Sequence, residues 1–240
     1  MDQRTNLASL LHADPPRSTR RLPARGKRGV RFSVGVASLA TLLALGLGGC
    51  ADREHQIVVS IPEQRMVVLK QGVPLTLYPV STSRFGLGDQ PGTNGTPLGN
   101  LEIAQKIGGG APLGMKFKSR VATGEIVPVD APGRDPVVTR ILWLRGREEQ
   151  NRQAYNRYIY IHGTPEERNI GRPASYGCVR MRSADVAALY EEVSRGARVF
   201  IANRPLAEAS APFLAAGASV PPLAPLPAFV EPNVSAVTGR

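Results

Sequence analysis

The most informative segment of the sequence is YIYIHGTPEERNIGRPASYGCVRM, residues 158–181. It begins with a strand pattern, in which Ile159 and Ile161 alternate with Tyr160 and His162. Because the side chains of a strand point alternately to its two faces, the isoleucines share one face and the tyrosine and histidine share the other. The isoleucine face suits a hydrophobic core, whereas the polar aromatic face can line a cleft. A loop of polar residues, Gly and Pro then leads to a cysteine.

This cysteine, Cys178, is either a packed residue or a reactive one. A free cysteine often behaves as a small buried hydrophobe. A nucleophilic cysteine needs a base or cation that lowers its pKa, since the thiolate is the attacking species. His12 lies in a basic N-terminal segment and His55 in a polar tether, so His162 is the good candidate for that base. The loop can bring His162 and Cys178 together, and their joint occurrence favours a nucleophilic pair over two structural residues.

The N-terminal residues have the pattern of an export signal. Residues 1–31 contain eight Lys or Arg and two Asp, and the uncharged segment Phe32–Gly49 and then Cys50 follow. A basic segment, an apolar segment and small residues before a break are typical of a secretory signal. The letters LGGC at 47–50 resemble a bacterial lipobox, which predicts lipidation of Cys50 and an exported protein anchored in the cell envelope or periplasm. The alternative is an uncleaved membrane anchor, because about eighteen apolar residues can just span a bilayer.

The charge of the chain is concentrated in the same region. Residues 1–31 carry a net charge of +6 out of the total of +11, which leaves +5 for all later residues. The later residues are only mildly basic and their aromatic residues show no stacking pattern, so nucleic acid is not expected as a partner. With Cys50 acylated, Cys178 has no partner for an internal disulfide, which favours a working thiol. One cysteine and two histidines outside the signal predict no metal site.

After the tether at residues 50–56, the sequence predicts one β-rich domain at residues 57–203. Apolar or alternating runs that are bounded by Gly, Pro and Asn indicate its strands. Residues 84–99 are predicted as a loop and residues 108–136 as irregular. The predicted extended segments are 57–72 with a turn at Pro62–Gln64, 73–81, 100–108, 137–146, 158–162 and 197–203.

One helix is clear from the sequence. Apolar residues repeat at helical spacing between Val186 and Val193, with Ser183 as the predicted N-cap and Gly196 as the predicted C′ glycine. The Pro/Ala-rich residues 204–240 have no usable periodicity, so they are predicted to form a flexible tail.

A family resemblance follows from these motifs. Residues 161–181 resemble the signature of the L,D-transpeptidases, the YkuD-type catalytic domain of bacterial cell-wall enzymes: a histidine, a loop, then Ser/Thr-His-Gly-Cys, a hydrophobic residue and Arg or Asn. Residues 57–83 resemble the opening hairpin of that domain, and GTPLGNLEI at 95–103 resembles its Thr-Pro-x-Gly turn. The resemblance implies a mainly β fold, a β-sandwich or mixed sheet with one or a few short helices. The residues expected to shape the turn are Thr96, Pro97 and Gly99.

The resemblance also implies roles in catalysis. Cys178 would be the nucleophile and His162 its base, with the carbonyl of Gly163 fixing the orientation of the imidazole. Backbone N–H groups around Gly177 and Cys178 would stabilise an oxyanion, which a positioned donor does effectively. No metal or organic cofactor is implied.

Four residues are candidates for substrate binding. Arg180 would hold a substrate carboxylate, although a structural ion pair is an equal alternative. Tyr160 lies on the predicted cleft face, and Ser175 matches the Ser/Thr position, where bracing the loop is favoured over reacting. Tyr176 departs from the family, which usually has histidine there; a phenol is neutral near pH 7 and can only donate or accept a hydrogen bond.

The implied reaction is acyl transfer on peptidoglycan. The Cys178 thiolate would attack the L,D peptide bond after the third residue of a tetrapeptide stem and release D-alanine. An amine acceptor would resolve the thioester, giving a 3→3 cross-link or attachment to a lysine or amino acid; water as acceptor would make the enzyme an L,D-carboxypeptidase. The alternative, suggested by Tyr176, is a non-catalytic peptidoglycan-binding lipoprotein on the same scaffold.

Overall fold

The computed structural model describes residues 51–133 and 135–221. The predicted signal segment, the lipidation site Cys50 and the end of the predicted tail lie outside these residues. Within the described ranges, none of the helices combines the length and the apolar character needed to cross a membrane.

The described residues form ten strands and two short α-helices. The helices are α1, Ser183–Glu192, and α2, Leu206–Ser210. The strands are β1 His55–Ser60, β2 Arg65–Lys70, β3 Val73–Pro79, β4 Gly99–Ile107, β5 Met115–Lys118, β6 Val121–Ile126, β7 Val138–Gly146, β8 Tyr160–Gly163, β9 Val179–Met181 and β10 Arg198–Ala202.

The strands form one mixed sheet. Its order is β3-β2-β1-β10-β4-β7-β5-β6, with β8 beside β7 and β9 beside β8. The pairs β1–β10 and β8–β9 are parallel, and the neighbours of β7 run antiparallel to it. The prediction of a mainly β domain with a mixed sheet and a few short helices is confirmed.

Strand β7 is buried on both faces, which positions the site. Its residues Leu142 and Leu144 join the main core, where α1 covers the sheet, whereas Ile141 and Trp143 join a second cluster on the other face. The predicted alternation in the neighbouring strand is confirmed as well. Ile159 and Ile161 belong to the main core, and Tyr160 belongs to the cluster of Trp143. The tyrosine face of β8 therefore packs against an aromatic layer rather than the aliphatic core.

Two segments of the domain differ from the sequence prediction. Strand β1 begins at His55, inside the predicted tether, and the carboxylate of Asp52 accepts hydrogen bonds from the N–H groups of His55 and Ser194. Residues 108–136, predicted as irregular, contain the β5–β6 hairpin, whose outer strand is exposed along its whole length. A fully exposed strand lacks the apolar alternation by which strands are recognised.

The predicted flexible tail is wrong for its first part. Helix α2 packs Leu206 and Ala209 against Val58 and Val67 of the sheet. The helix is only five residues long, so its sequence carries too few apolar positions to show a period, and packing against the sheet stabilises it instead.

The ends of α1 also differ from the prediction. Its N-cap residue is Arg182, and Ser183 lies inside the helix, where its hydroxyl accepts a hydrogen bond from Thr139 Oγ1 at 2.9 Å. The Glu167 carboxylate takes over part of the capping role, because it accepts from the Ser183 N–H at 2.8 Å. The helix ends before Gly196, whose positive φ of 91° serves a later turn.

Candidate active site

The cysteine and the histidine lie on neighbouring parallel strands. The register of β8 and β9 pairs His162 with Arg180, and Cys178 comes directly before β9. Residues paired across strands, and those two positions along, point to the same face. Cys178 therefore shares a face with His162 as its diagonal neighbour, and it packs in the cluster that contains Tyr160. The structure thus brings the two predicted residues to one face of the sheet.

The geometry of His162 fixes its tautomer. Its Nδ1 lies 2.8 Å from the carbonyl oxygen of Gly163. A carbonyl oxygen only accepts, so Nδ1 carries the proton and Nε2 presents a lone pair. The side chain is 4% exposed. Burial, with a smaller contribution from the nearby Arg180 charge, lowers the pKa of His162 to about 4, against the hydrogen bond to Gly163. The imidazole is therefore neutral at pH 7.

The thiol of Cys178 is also neutral in the resting structure. Its Sγ accepts a hydrogen bond from the Tyr160 N–H at 3.4 Å and donates one to the carbonyl of Tyr158 at 3.4 Å. The residue is half-buried, and this enclosure raises the pKa of Cys178 to about 11, although Tyr160 and the charge of Arg180 act in the opposite direction. A nucleophilic cysteine is expected to have a lowered pKa; the pKa of Cys178 is raised instead, because burial outweighs the groups that favour the thiolate.

The loop before the cysteine is held from two sides. The buried hydroxyl of Ser175 donates to the carbonyl of Cys178 at 2.6 Å and accepts from the Gly177 N–H at 3.2 Å. Thr96 Oγ1 donates to the carbonyl of Gly177 at 3.1 Å. Ser175 therefore braces the loop and is not free to bind substrate. The support from Thr96, 81 residues away along the chain, is not visible in the sequence.

These bonds change the expected oxyanion donors. The Gly177 N–H is directed to Ser175, so it is a poor donor to substrate, contrary to the expectation. The Cys178 N–H has no acceptor among residues 51–133 and 135–221, which leaves it available. Gly177 has another role: its φ is 117°, and a Cβ there would lie 3.1 Å from the carbonyl oxygen of Gly95. The glycine thus permits the sharp turn that presents the cysteine.

Arg180 is engaged by the protein itself. Its buried guanidinium forms ion pairs with Asp135 at 2.6 Å and with Glu166 at 3.7 Å, and it donates to the carbonyl of Ala174 at 3.3 Å. Of the two alternatives from the sequence, this geometry supports the structural ion pair and not a substrate-carboxylate site. Asp135 was not among the candidate residues, because no motif marks it in the sequence. It could have been expected only from the requirement that a buried arginine be paired with a carboxylate.

Tyr176, at the family's usual histidine position, points to the surface. It is 54% exposed, and its hydroxyl is hydrogen-bonded to the guanidinium of Arg84, which also lies 4.7 Å from the centre of its ring. Tyr176, Arg84 and Arg180 line a cleft of about 740 Å³. The phenol is therefore part of a cleft wall, and its hydrogen bond is to Arg84 rather than to the cysteine–histidine pair.

Cys178 packs against an aromatic layer that includes Trp143 and Tyr160. The ring of Trp143 stacks on Tyr155 with centroids 4.1 Å apart, and it meets Tyr160 edge-on at 5.6 Å. The guanidinium of Arg120 lies 4.8 Å from the Trp143 ring centre and 5.0 Å from that of Tyr158. Of these residues only Tyr160 was a candidate from sequence, because the others come from three separate segments. No cluster of three or more metal-ligating side chains occurs among the described residues.

The fold and the site together define a class of protein: a mainly β domain that presents a cysteine and a neutral histidine on one face of two parallel strands. The chain belongs to the YkuD family, because the L,D-transpeptidase catalytic domain of that family matches residues 54–201. The resemblance in the motifs is thereby confirmed at the level of the family.

Two curated relatives from Escherichia coli are similar to this chain. Probable L,D-transpeptidase YcfS is 28% identical over 169 residues, which are 68% of this chain and 48% of YcfS. Probable L,D-transpeptidase YbiS is 27% identical over 168 residues, which are 67% of this chain and 49% of YbiS. The chain therefore spans about half the length of the curated relatives that it matches.

Solved structures of L,D-transpeptidases are also similar. One is LdtMt1 in complex with imipenem, 19% identical with a TM-score of 0.39, covering 62% of this chain and 59% of that one. Another is an L,D-transpeptidase from Mycobacterium smegmatis, 20% identical with a TM-score of 0.39, covering 62% of this chain and 58% of that one.

Proposed function

We propose that this protein is a peptidoglycan L,D-transpeptidase that works through a covalent acyl-enzyme on Cys178. The observation that carries the proposal is the shared face of Cys178 and His162, with the imidazole held by Gly163 so that Nε2 is free to accept a proton. Membership of the family supports the reaction class. The substrate is the stem peptide of peptidoglycan.

In the first half-reaction, the Cys178 sulfur attacks the carbonyl carbon of the L,D peptide bond. His162 Nε2 takes the thiol proton, and the developing oxyanion accepts a hydrogen bond from the Cys178 N–H. When the tetrahedral intermediate collapses, the C–N bond breaks and the imidazolium gives its proton to the departing amine of D-alanine. The products are a thioester on Cys178 and free D-alanine.

In the second half-reaction, an amine of the acceptor attacks the thioester carbonyl. His162 takes a proton from that amine and returns it to the sulfur as the C–S bond breaks, which restores the neutral pair. Water in place of the amine gives hydrolysis and an L,D-carboxypeptidase.

The resting pair is neutral, so proton transfer accompanies the attack rather than preceding it. Burial raises the pKa of Cys178 and lowers that of His162, and both shifts disfavour the thiolate–imidazolium form. This neutrality protects the thiol, because the thiolate is the form that oxidants and alkylating agents attack. The oxyanion forms as the sulfur adds to the substrate carbonyl, and the thiol proton moves to His162 Nε2 in the same step.

The proposal extends to an exported protein that is lipidated at Cys50 and anchored in the cell envelope. Its support is the basic and apolar N-terminal sequence that ends in LGGC. Labelling of cells with a radioactive fatty acid tests this part. Label that is incorporated into the protein and lost in Cys50→Ala supports lipidation; an unlabelled protein that stays in the membrane supports the uncleaved anchor.

Muropeptide analysis tests the reaction. Wild-type protein incubated with purified tetrapeptide muropeptides is expected to produce 3→3 cross-linked dimers and free D-alanine, and Cys178→Ala is expected to produce neither. Cys50→Ala is the matched control, since it removes the other cysteine and should retain activity. Because the LdtMt1 structure contains imipenem, a mass addition by imipenem on the peptide containing Cys178 is a second readout. A folded protein that neither reacts with imipenem nor changes the muropeptides would support the non-catalytic binder.

A further inference from the structure

The β5–β6 hairpin ends in a turn that holds two residues in an unfavourable backbone conformation. Lys118 pairs with Val121, so Ser119 and Arg120 alone form the turn. Their φ angles are 49° and 69°. Two-residue turns of this kind normally use Asn-Gly or similar pairs, because side chains other than glycine are strained there. An arginine held in this conformation raises the question of what its side chain contacts.

The strained turn directs Arg120 onto the aromatic layer. Its guanidinium lies over Trp143 and Tyr158 and donates to the hydroxyl of Tyr160 at 3.4 Å. A guanidinium is stabilised over aromatic faces, and these rings hold it in one orientation. The cation is thereby fixed in place, and none of the ion pairs among residues 51–133 and 135–221 joins it to a carboxylate.

The position of Arg120 is next to the candidate nucleophile. Tyr158 and Tyr160, on which the guanidinium rests, are the same residues whose backbone carbonyl and N–H hold the sulfur of Cys178. Burial raises the pKa of Tyr160, the hydrogen bond and charge of Arg120 lower it, and Cys178 raises it, which agrees with contacts of Tyr160 to both residues. A substrate whose carbonyl reaches the sulfur therefore passes close to this cation.

Arg120 and Arg180 differ in whether a carboxylate of the protein already binds the guanidinium. Arg180 is buried and paired with Asp135. Arg120 is half-exposed, and no ion pair joins it to any carboxylate within the described part of the chain. Its planar fork of five donors makes one long hydrogen bond, so donors suited to a carboxylate remain free.

We propose that Arg120 binds a carboxylate of the acyl-donor stem peptide and so positions the scissile bond at Cys178. This inference rests on the proposed function and names the specificity-determining cation of that site. The carboxylate is either that of the terminal D-alanine or one on the side chain of the third-residue diamino acid. Carboxylate binding, one of the two alternatives considered for Arg180, is thereby proposed for Arg120 in the β5–β6 turn.

Kinetics with modified donors test the proposal. Arg120→Gln is expected to lower kcat/KM about 10- to 100-fold, the range for loss of a charge-assisted hydrogen bond. Lys118→Gln, a neighbouring exposed cation of the same hairpin, is the matched control and should stay within twofold. One donor has its C-terminus amidated; the other has lysine in place of a carboxylate-bearing third residue. If Arg120 binds the carboxylate that one of these donors lacks, the kcat/KM of the wild type on that donor should fall by the same factor of about 10 to 100. The kcat/KM of Arg120→Gln should then be the same as that of the wild type on that donor. The donor that shows this pattern identifies the carboxylate.

Alkylation of Cys178 separates failure of this inference from failure of the proposed function. Iodoacetate and iodoacetamide react with the same thiol, but only the first is anionic. Mass spectrometry of the Cys178 peptide gives the two alkylation rates, and the ratio used here is the rate with iodoacetate divided by the rate with iodoacetamide. Arg120→Gln is expected to lower the ratio a few-fold, and Lys118→Gln to leave it unchanged. An altered ratio without turnover of any stem peptide would refute the transpeptidase and keep the anion site; turnover with an unchanged ratio and unchanged kcat/KM in Arg120→Gln would overturn the inference alone.

A glycine substitution excludes a purely structural role. Glycine adopts the left-handed backbone of the turn without strain, so the Tm of Arg120→Gly should not fall. Its kcat/KM should nevertheless fall as in Arg120→Gln. If Tm drops by several degrees together with activity, Arg120 acts by holding the hairpin, and the proposal is wrong.

Discussion

Replacement of Asp135 by asparagine tests whether Arg180 is a structural residue. The substitution keeps the size of the side chain but removes the charge that lies 2.6 Å from the Arg180 guanidinium. Both side chains are at most 10% exposed, so water solvates the Arg180 guanidinium poorly once the Asp135 charge is removed. Removal of one partner of a buried ion pair costs about 3–5 kcal/mol. Because Glu166 still lies 3.7 Å away, we expect the low end, about 3 kcal/mol.

Thermal unfolding measures this cost. In a domain of this size each kcal/mol shifts Tm by about 2–4 °C, so Asp135→Asn should lower Tm by about 6–12 °C. Glu149→Gln is the control, since it breaks the Arg152–Glu149 pair, whose side chains are 64% and 79% exposed. Loss of such an exposed pair should cost less than about 1 kcal/mol. Equal Tm values for the two variants would refute the account of Arg180 as a buried, structurally paired residue.

Two further predictions concern pH and Tyr176. Burial lowers the pKa of His162 to about 4 in the folded protein, against an ordinary value of 6.5. The unfolded chain therefore binds more protons between these two values, and stability should fall as pH drops from 6.5 to 4. The loss approaches about 3 kcal/mol, from about 1.4 kcal/mol per pKa unit; urea unfolding at several pH values should show it, and His162→Gln should abolish most of it. Tyr176→Phe removes only an exposed hydroxyl bonded to Arg84, so its stability should stay within about 0.5 kcal/mol of wild type. Its imipenem acylation rate should stay within a few-fold; a loss comparable to that of His162→Gln would show that the position takes part in catalysis.

The parts of the fold that the sequence predicts are those with local patterns. The alternation around Ile161 and the apolar spacing of α1 are visible in a few consecutive residues, and the structure has both. The errors arise where a distant partner decides. Ser183 has the residue type of an N-cap, but its hydroxyl accepts a hydrogen bond from Thr139, which lies 44 residues away along the chain. The short helix α2 has little propensity of its own and forms because the sheet offers it an apolar surface.

The same division applies to the candidate site. The pairing of Cys178 with His162 on one face follows from alternation and one loop, which is local information. The role of Arg180 could not be decided, because its partner Asp135 lies in a segment without a motif. The directions in which the pKa values of Cys178 and His162 shift could not be predicted from the sequence either. Both shifts are caused by burial, which depends on the packing of the whole sheet. The place of Arg120 above the aromatic layer depends on a hairpin in a stretch without a strand pattern.

The most direct measurement of the central claim is the rate of acyl-enzyme formation on Cys178 in a single turnover. Wild type, His162→Gln and the Cys50→Ala control are mixed with a tetrapeptide donor without acceptor, quenched in acid and analysed by intact mass. The account predicts an adduct on the Cys178 peptide in wild type and Cys50→Ala, formed about 10²- to 10⁴-fold more slowly in His162→Gln, the range for loss of a general base. An adduct that forms equally fast without the imidazole, or on a residue other than Cys178, would contradict it.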